Sequence, residues 1–579
     1  MYNRIGLIFS IQLLLLFKIT AVSAVISPEQ LFQHQQLEQQ QKLGQLKQTP
    51  HIRLQTEQAT TTPLIKSTTD KQCFPIRQIN FIDYQTQSET VTPGITSPSQ
   101  FTSLLKSNIA LPLCLNEASL NQLLNQWQNR LIDKGFITTR VRVQPQDLRQ
   151  GILTITIIPG KISHLQLQDQ SQFPKATNAT LWFAMPTKAG DLLNLRDLET
   201  GLENLRRNSS VTANIELFAN PEQIGSTDVI IAFQQSNPFA LTLSLDDAGT
   251  KATGRFQASA ALAAENLFSW NDLLYGSISH SIKTNNDETK GDRGSQNLNF
   301  YYAIPWKNWL FTLSHSTFHY HQTVQGAFED IEYSGKSIQW QANLSRLLYR
   351  DTHRKTTLSA GFWSKRSFNY VDGDELAIQR RRMAGWQANL SHIEYIGNAT
   401  WQLSLDYKQG TGADRSLPAP EEQFNQGTSR PQIITTKIQL DYPFSLGQQP
   451  WRFHSAWQAQ WNKTPLIQQD KFSIGGRYTV RGFDGELTLS GNRGWLWRNE
   501  IAWNIAHQGQ EIYLGIDHGR VAGIGTEELL GKQLTGAVLG LKGQLRGINY
   551  DLFVGMPLKK PQGFQTSRIT SGFNISYQF

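Results

Sequence analysis

The sequence predicts a transmembrane antiparallel β-barrel of about 16 strands, preceded by two small α+β units and a polar N-terminal helix. Three observations predict it. Beyond residue 237 the chain alternates apolar and polar residues over strand-length segments, with no helical period between them. Between residues 73 and 236 one strand–helix–strand–strand pattern occurs twice. The chain also opens on a leader for export.

The leader comes first. Arg4 supplies a positive start, Ile5 to Phe17 an apolar run, and Val22-Ser23-Ala24 small residues at cleavage spacing. Residues 1–24 therefore read as a secretory signal peptide. The run is too short to span a membrane comfortably and Lys18 interrupts it. No later run of about 18 apolar residues occurs, so any further crossing must use strands.

Residues 25–48 read as a glutamine-rich helix. Ser27 is its N-cap, Pro28 its first position and Gln30 its capping-box partner. The helix is polar on nearly all sides, so it needs a wet docking site. Residues 49–72 lack periodicity and read as a linker.

The first repeat unit covers 73–160. A strand CFPIRQINF leads into a long helix capped by Asn116, with Leu120, Leu123, Leu124, Trp127 and Leu131 on one face. Strands 137–143 and 152–158 close it. The second unit covers 161–236, with strand 162–168, a helix from Asn194 carrying Leu195, Leu198, Leu202 and Leu205 on one face, and strands 211–219 and 227–233. Each unit is expected to lay helices over one face of a small sheet. The chain holds two cysteines, Cys73 and Cys114. Both fall in the first unit of an exported chain, which predicts a disulfide.

The barrel segment covers 237–579. Trp401, Leu403, Leu405 and Tyr407 point one way, Gln402, Ser404, Asp406 and Lys408 the other. Trp495, Trp497, Ile501 and Trp503 likewise oppose Arg498, Glu500 and Asn504. Lipid outside and water inside fit this pattern, and explain how 29 Phe, 16 Tyr and 15 Trp coexist with a mean hydropathy of −0.40. A soluble barrel would have little use for so many Trp and Tyr on its apolar face. The chain ends on aromatic Phe579. Roughly 340 residues at about 20 per strand and loop give about 16 strands, an even number.

The formal charge is +8, but the basic residues are spread along strands rather than clustered with aromatics. That argues against a nucleic-acid partner and for a solvated lumen. No HExxH, GxSxG or metal-spaced Cys/His cluster occurs, so neither catalysis nor a cofactor is expected. His315 and His319 read as ordinary strand positions. GTEELLGKQ fails the phosphate-loop pattern in spacing and last residue.

Three motifs then carry a resemblance. GFITTRVRVQPQDLRQGILTITIIPGKI lies in the first unit, FSIGGRYTVRGFDGE carries Val480, Arg481, Gly482 and Phe483, and YLGIDHGRV carries Asp517 and Gly519. With GWLWRNE after the motif loop, the chain resembles, over nearly its whole length, the two-partner secretion transporters of hemolysin-activator type, the TpsB family within the outer-membrane assembly-factor barrels.

The resemblance implies that the repeat units are POTRA domains in the periplasm, catching an unfolded, large secreted exoprotein of hemolysin, adhesin or toxin-carrier type. It implies that the helix plugs the barrel and that a loop at about 463–494, bearing VRGF, folds back inside. The chain would act as a monomer in outer-membrane lipid. It implies, too, an Arg481–Asp517 pair, which strand parity supports: Asp517 shares a face with Tyr513 and Gly515, opposite Ile512, Leu514 and Ile516. The alternatives are a barrel-assembly insertase of the same superfamily, an outer-membrane enzyme and a diffusion porin. An insertase usually carries more POTRA units, and a porin carries none. What the exoprotein does, and whether transport activates it, the sequence leaves open.

Overall fold

A computed structural model describes residues 28–46, 51–54, 73–84, 99–106, 111–283, 291–326, 328–505 and 509–579. The leader at 1–24 and most of the linker lie outside them. The helix forms over Pro28–Leu46.

In the first small domain the opening segment makes two strands, not one. Phe74–Ile76 pairs antiparallel with Leu113–Leu115, whereas Gln78–Asp83 runs parallel to Ile152–Ile158. The chain changes sheets at Arg77, whose amide donates to the Gly151 carbonyl. The long helix is Glu117–Asp133. The Asn116 side chain accepts from the Ser119 amide at 2.9 Å, and Ser119 Oγ accepts from the Asn116 amide at 2.8 Å. Its buried face is Leu123, Trp127 and Leu131, packed on Ile79, Phe81 and Ile155. Each such side chain contributes about 1.5–3 kcal/mol by leaving water. Cys73 and Cys114 form a disulfide across this small sheet, with Cα atoms 5.4 Å apart.

The second domain pairs Lys161–Asp169 parallel with Ser226–Gln235, and Val211–Ala219 antiparallel with the same strand. Two helices cover the sheet, Asn178–Ala184 and Leu195–Leu205. The second is amphipathic in sequence, yet ten of its eleven residues are buried. Its leucines face the sheet. Its polar face docks on the barrel rim, where Asn204 donates to the Lys307 carbonyl at 2.8 Å and Glu199 receives Arg350 at 3.0 Å.

Among the described residues, sixteen long strands close into an antiparallel barrel, from Phe239–Asp246 to Thr570–Gln578. The last strand pairs with the first from Gln578 opposite Thr242 to Asn574 opposite Asp246. A two-residue strand, Asp374–Glu375, adds to one hairpin. Strand parity sorts the faces: Ile516 is 51% exposed on the outer face, while Asp517 beside it is fully buried in the lumen. Among the described residues no helix is long and apolar enough to cross a membrane. The strands do so.

Candidate functional site

Among the described residues, two pieces of the chain lie inside the barrel. The helix Pro28–Leu46 inserts Leu31 and Phe32 against Phe318 and Tyr320 of the wall. The Phe32 ring lies edge-on to both, at 6.2 and 5.5 Å. Elsewhere the helix is held by polar contacts. Gln33 donates to the Lys471 carbonyl, Lys365 donates to Gln36 at 3.2 Å, and His34 lies against Tyr478.

The second piece is the loop between strands Gln449–Asn462 and Arg493–Ile505. It turns back inside as a small hairpin, Phe472–Ile474 pairing with Leu489–Gly491. Val480 and Phe483 bury with Ile474 and Leu489 of the loop and with Leu496, Val521, Leu534 and Phe564 outside it, so the loop shares an apolar core with the barrel.

Arg481 lies between those two anchors. Its Nε and Nη2 donate to the two Asp517 oxygens at 2.8 and 2.9 Å, its main-chain amide adds a third bond to Asp517 at 2.9 Å, and Nη1 donates to Glu500 at 2.7 Å. A planar five-donor guanidinium makes this fork; an ammonium does not. The charges continue along the wall with alternating sign. Lys542 meets Glu500 at 2.7 Å, Arg452 meets Glu511 at 2.7 Å, and Arg498 lies 3.8 Å from Asp517. Every buried carboxylate in this run therefore has a cation beside it, as burial requires.

The loop's close seat depends on glycines. A Cβ at Gly536 would lie 1.9 Å from the Arg481 carbonyl oxygen, and one at Gly555 would lie 2.8 Å from Gly482 Cα. Gly482 has φ +97°, and its own Cβ would meet the Met556 carbonyl at 2.5 Å. Gly519 is similar: a Cβ there would press on Val480 and Ile474 at 2.9 and 3.0 Å. At Gly482, Gly536 and Gly555 backbone meets backbone because no side chains intervene.

Val480, Arg481, Gly482, Phe483, Asp517 and Gly519 thus meet at one place, while Cys73 and Cys114 sit apart in the first small domain. Sequence reasoning missed Glu500 as a second acceptor, and Gly536 and Gly555 as the seat. It also missed the loop's other tethers. Asp470 meets Lys408 at 3.0 Å, Arg477 meets Asp247 at 3.1 Å, and Asp484 accepts from the Ser567 amide at 2.8 Å. Strand parity could have offered Glu500. Nothing local marks the glycines, because their partner is distant in sequence. Among the described residues no group of three or more His, Cys, Asp and Glu side chains is placed to hold a metal.

Comparison with known proteins adds the decisive observation. The family profile described as "Haemolysin secretion/activation protein ShlB/FhaC/HecB" matches residues 225–543, more than half the chain. This chain belongs to the ShlB/FhaC/HecB family. ShlB-type POTRA and POTRA profiles match residues 94–160 and 161–219. Among relatives, the outer membrane transporter CdiB-2 of Burkholderia pseudomallei is 34% identical over 474 residues, covering 80% of this chain and 79% of that protein. The hemolysin transporter protein ShlB of Serratia marcescens is 26% identical over 500 residues, covering 84% and 81%. The solved structure of CdiB from Acinetobacter baumannii superposes with a TM-score of 0.80 at 26% identity, covering 96% of this chain and all of that one.

As a ShlB/FhaC/HecB member, the protein is an outer-membrane translocator of a two-partner secretion system, with its POTRA domains in the periplasm and a secreted exoprotein as its partner.

Proposed function

We propose that the protein works as a monomer in outer-membrane lipid, and that the Arg481–Asp517 pair holds the VRGF loop in the position from which transport proceeds. Helix Pro28–Leu46 closes the lumen at rest. The POTRA domains receive one large exoprotein of hemolysin, adhesin or toxin-carrier type in extended form, by strand addition at a sheet edge. The division of labour we infer is leader 1–24, plug 25–48, linker 49–72, POTRA domains 73–160 and 161–236, and barrel 237–579. The Cys73–Cys114 bridge stiffens the first POTRA domain for the periplasm. We assign the chain no catalysis. Folding of the exoprotein outside the cell makes each outward step hard to reverse.

One observation carries this reading. Apart from Leu31 and Phe32, the plug helix is tethered by polar contacts, among them Gln33 to Lys471 and Lys365 to Gln36. Water can replace such bonds at small cost, so the plug can leave without unfolding the wall. The test is co-expression with a large exoprotein of this type, followed by assay of the medium. Exoprotein retained in the periplasm at normal barrel levels contradicts the proposal.

A further inference from the structure

Within the linker, residues 51–54 are anchored. They lie extended across the junction of the second POTRA domain and the barrel rim, and they alternate as a strand does. Ile52 and Leu54 face the POTRA domain, where Ile52 joins the core cluster of Leu198, Leu202 and Leu205. His51 and Arg53 face the barrel, with the Arg53 guanidinium 4.1 Å from the centre of the Tyr395 ring. The backbone is gripped as well. The Ile52 amide donates to Glu203 at 3.1 Å, the Leu54 amide donates to Glu199 at 2.8 Å, and Arg350 donates to the Ile52 carbonyl.

Those three charged residues are almost wholly buried, with side chains 7% exposed or less. They do not need the strap for charge balance. Arg350 also meets Glu199 and Glu203 at 3.0 and 2.9 Å, Arg196 meets Glu199 at 2.6 Å, and Lys355 meets Glu203. The cluster is therefore preformed. It offers two acceptors and one donor to any extended backbone, plus two neighbouring places for aliphatic side chains two residues apart. Recognition of main chain plus two aliphatic side chains, with little demand on the other positions, suits a ligand of varied sequence.

We infer that this junction is a binding site for an extended polypeptide segment, held at rest by the protein's own residues 51–54 and taken over by the exoprotein in transit. The inference rests on the reading of the protein as an exporter of extended chain. The site stands at the barrel rim, beside Lys307 and Tyr395, where a segment leaving the POTRA domains meets the wall. Its own occupant is the segment next to the plug helix. Displacement of the strap by cargo thus frees the stretch of chain that follows the plug.

The test uses the full-length protein in detergent and a fluorescein-labelled peptide, GSHIRLSG. A tethered strap competes at an effective concentration on the order of millimolar, so the wild-type protein binds the peptide weakly. In Ile52→Ser/Leu54→Ser the strap loses its apolar anchors, and the peptide binds roughly ten-fold more tightly or better. A peptide with serine at both aliphatic positions does not bind. Reduced, carboxymethylated α-lactalbumin, a permanently unfolded chain, displaces the labelled peptide. Heat-modifiable migration on gels checks that each barrel is folded. A folded double variant that does not bind the peptide overturns the inference, and so does binding that the unfolded chain cannot displace. Secretion of the exoprotein by the wild-type strain is scored separately. Its failure overturns the exporter reading, whereas failed peptide binding with intact secretion overturns the strap site alone.

Discussion

Arg481 grips Asp517 through three hydrogen bonds, one of them from its own main-chain amide. The carboxylate therefore fixes both the side chain and the local backbone of the loop. Removing the guanidinium leaves the buried Asp517 with the main-chain amide of residue 481 and, as its one remaining cation among the described residues, Arg498 at 3.8 Å. Such a loss costs about 3–5 kcal/mol for a deeply buried pair. Arg481→Ala should insert into the membrane and secrete poorly. Arg481→Lys should also be impaired, since one ammonium cannot span both Asp517 oxygens and Glu500. Secreted exoprotein at matched barrel levels measures both, and normal export by Arg481→Ala refutes the latch.

The glycine seat gives a test that leaves charge untouched. Gly536→Ala puts a methyl group where the Arg481 carbonyl now lies, 1.9 Å away. Strand pairing already shifts register between Thr535 and Gly536, so the site is irregular before any change. The expected outcome is a folded barrel with secretion lowered as far as by Arg481→Ala. Gly276→Ala is the control, because its nearest atom would lie 3.9 Å away. Equal secretion by the two alanine variants speaks against the seat.

Deleting residues 28–46 should raise single-channel conductance in planar bilayers while secretion continues. A milder change addresses the apolar anchor. Phe32→Ala removes a side chain that is 1% exposed between Phe318 and Tyr320. Truncating a buried Phe costs about 3–5 kcal/mol. The variant should open more often than the wild type at the same full conductance. An unchanged open probability means that the polar tethers alone retain the helix.

The Cys73–Cys114 bridge spans a sequence separation of 41 residues. Closing such a loop restricts the unfolded chain by about 4 kcal/mol in the chain-entropy description. Cys73→Ser/Cys114→Ser should therefore lower the melting temperature of the first POTRA domain, read in a fragment of residues 73–236, and leave the barrel's heat-modifiable migration unchanged. Identical melting curves with and without reductant contradict it.

Much of this molecule was legible because its signals are local and periodic. Strands 211–219 and 152–158 form over the very residues read as strands, and Asn116 and Asn194 cap the helices that follow them. Parity alone put Asp517 in the lumen. The misses share a physical cause, since each depends on a neighbour remote in sequence. CFPIRQINF reads as one strand, yet its halves meet different partners on either side of Arg77. The short helices Thr102–Lys106 and Asn178–Ala184 are too brief to show a period. Residues 51–54 look like linker because their partners are Glu199, Glu203 and Arg350. Gly536 and Gly555 serve by leaving room for a segment more than fifty residues away.

A socket made from absent side chains has a peculiar mutational history. Every amino acid other than glycine is larger, so every replacement at Gly536 or Gly555 adds atoms to a space that the backbone of Arg481 and Gly482 already fills. No opposite error exists, because nothing can be trimmed from glycine. A change in the loop's own side chains cannot compensate either, since the obstacle meets main chain that every residue shares. Drift at these positions is thus one-sided. These two wall positions should be as intolerant of substitution as the Arg481 and Gly482 they receive.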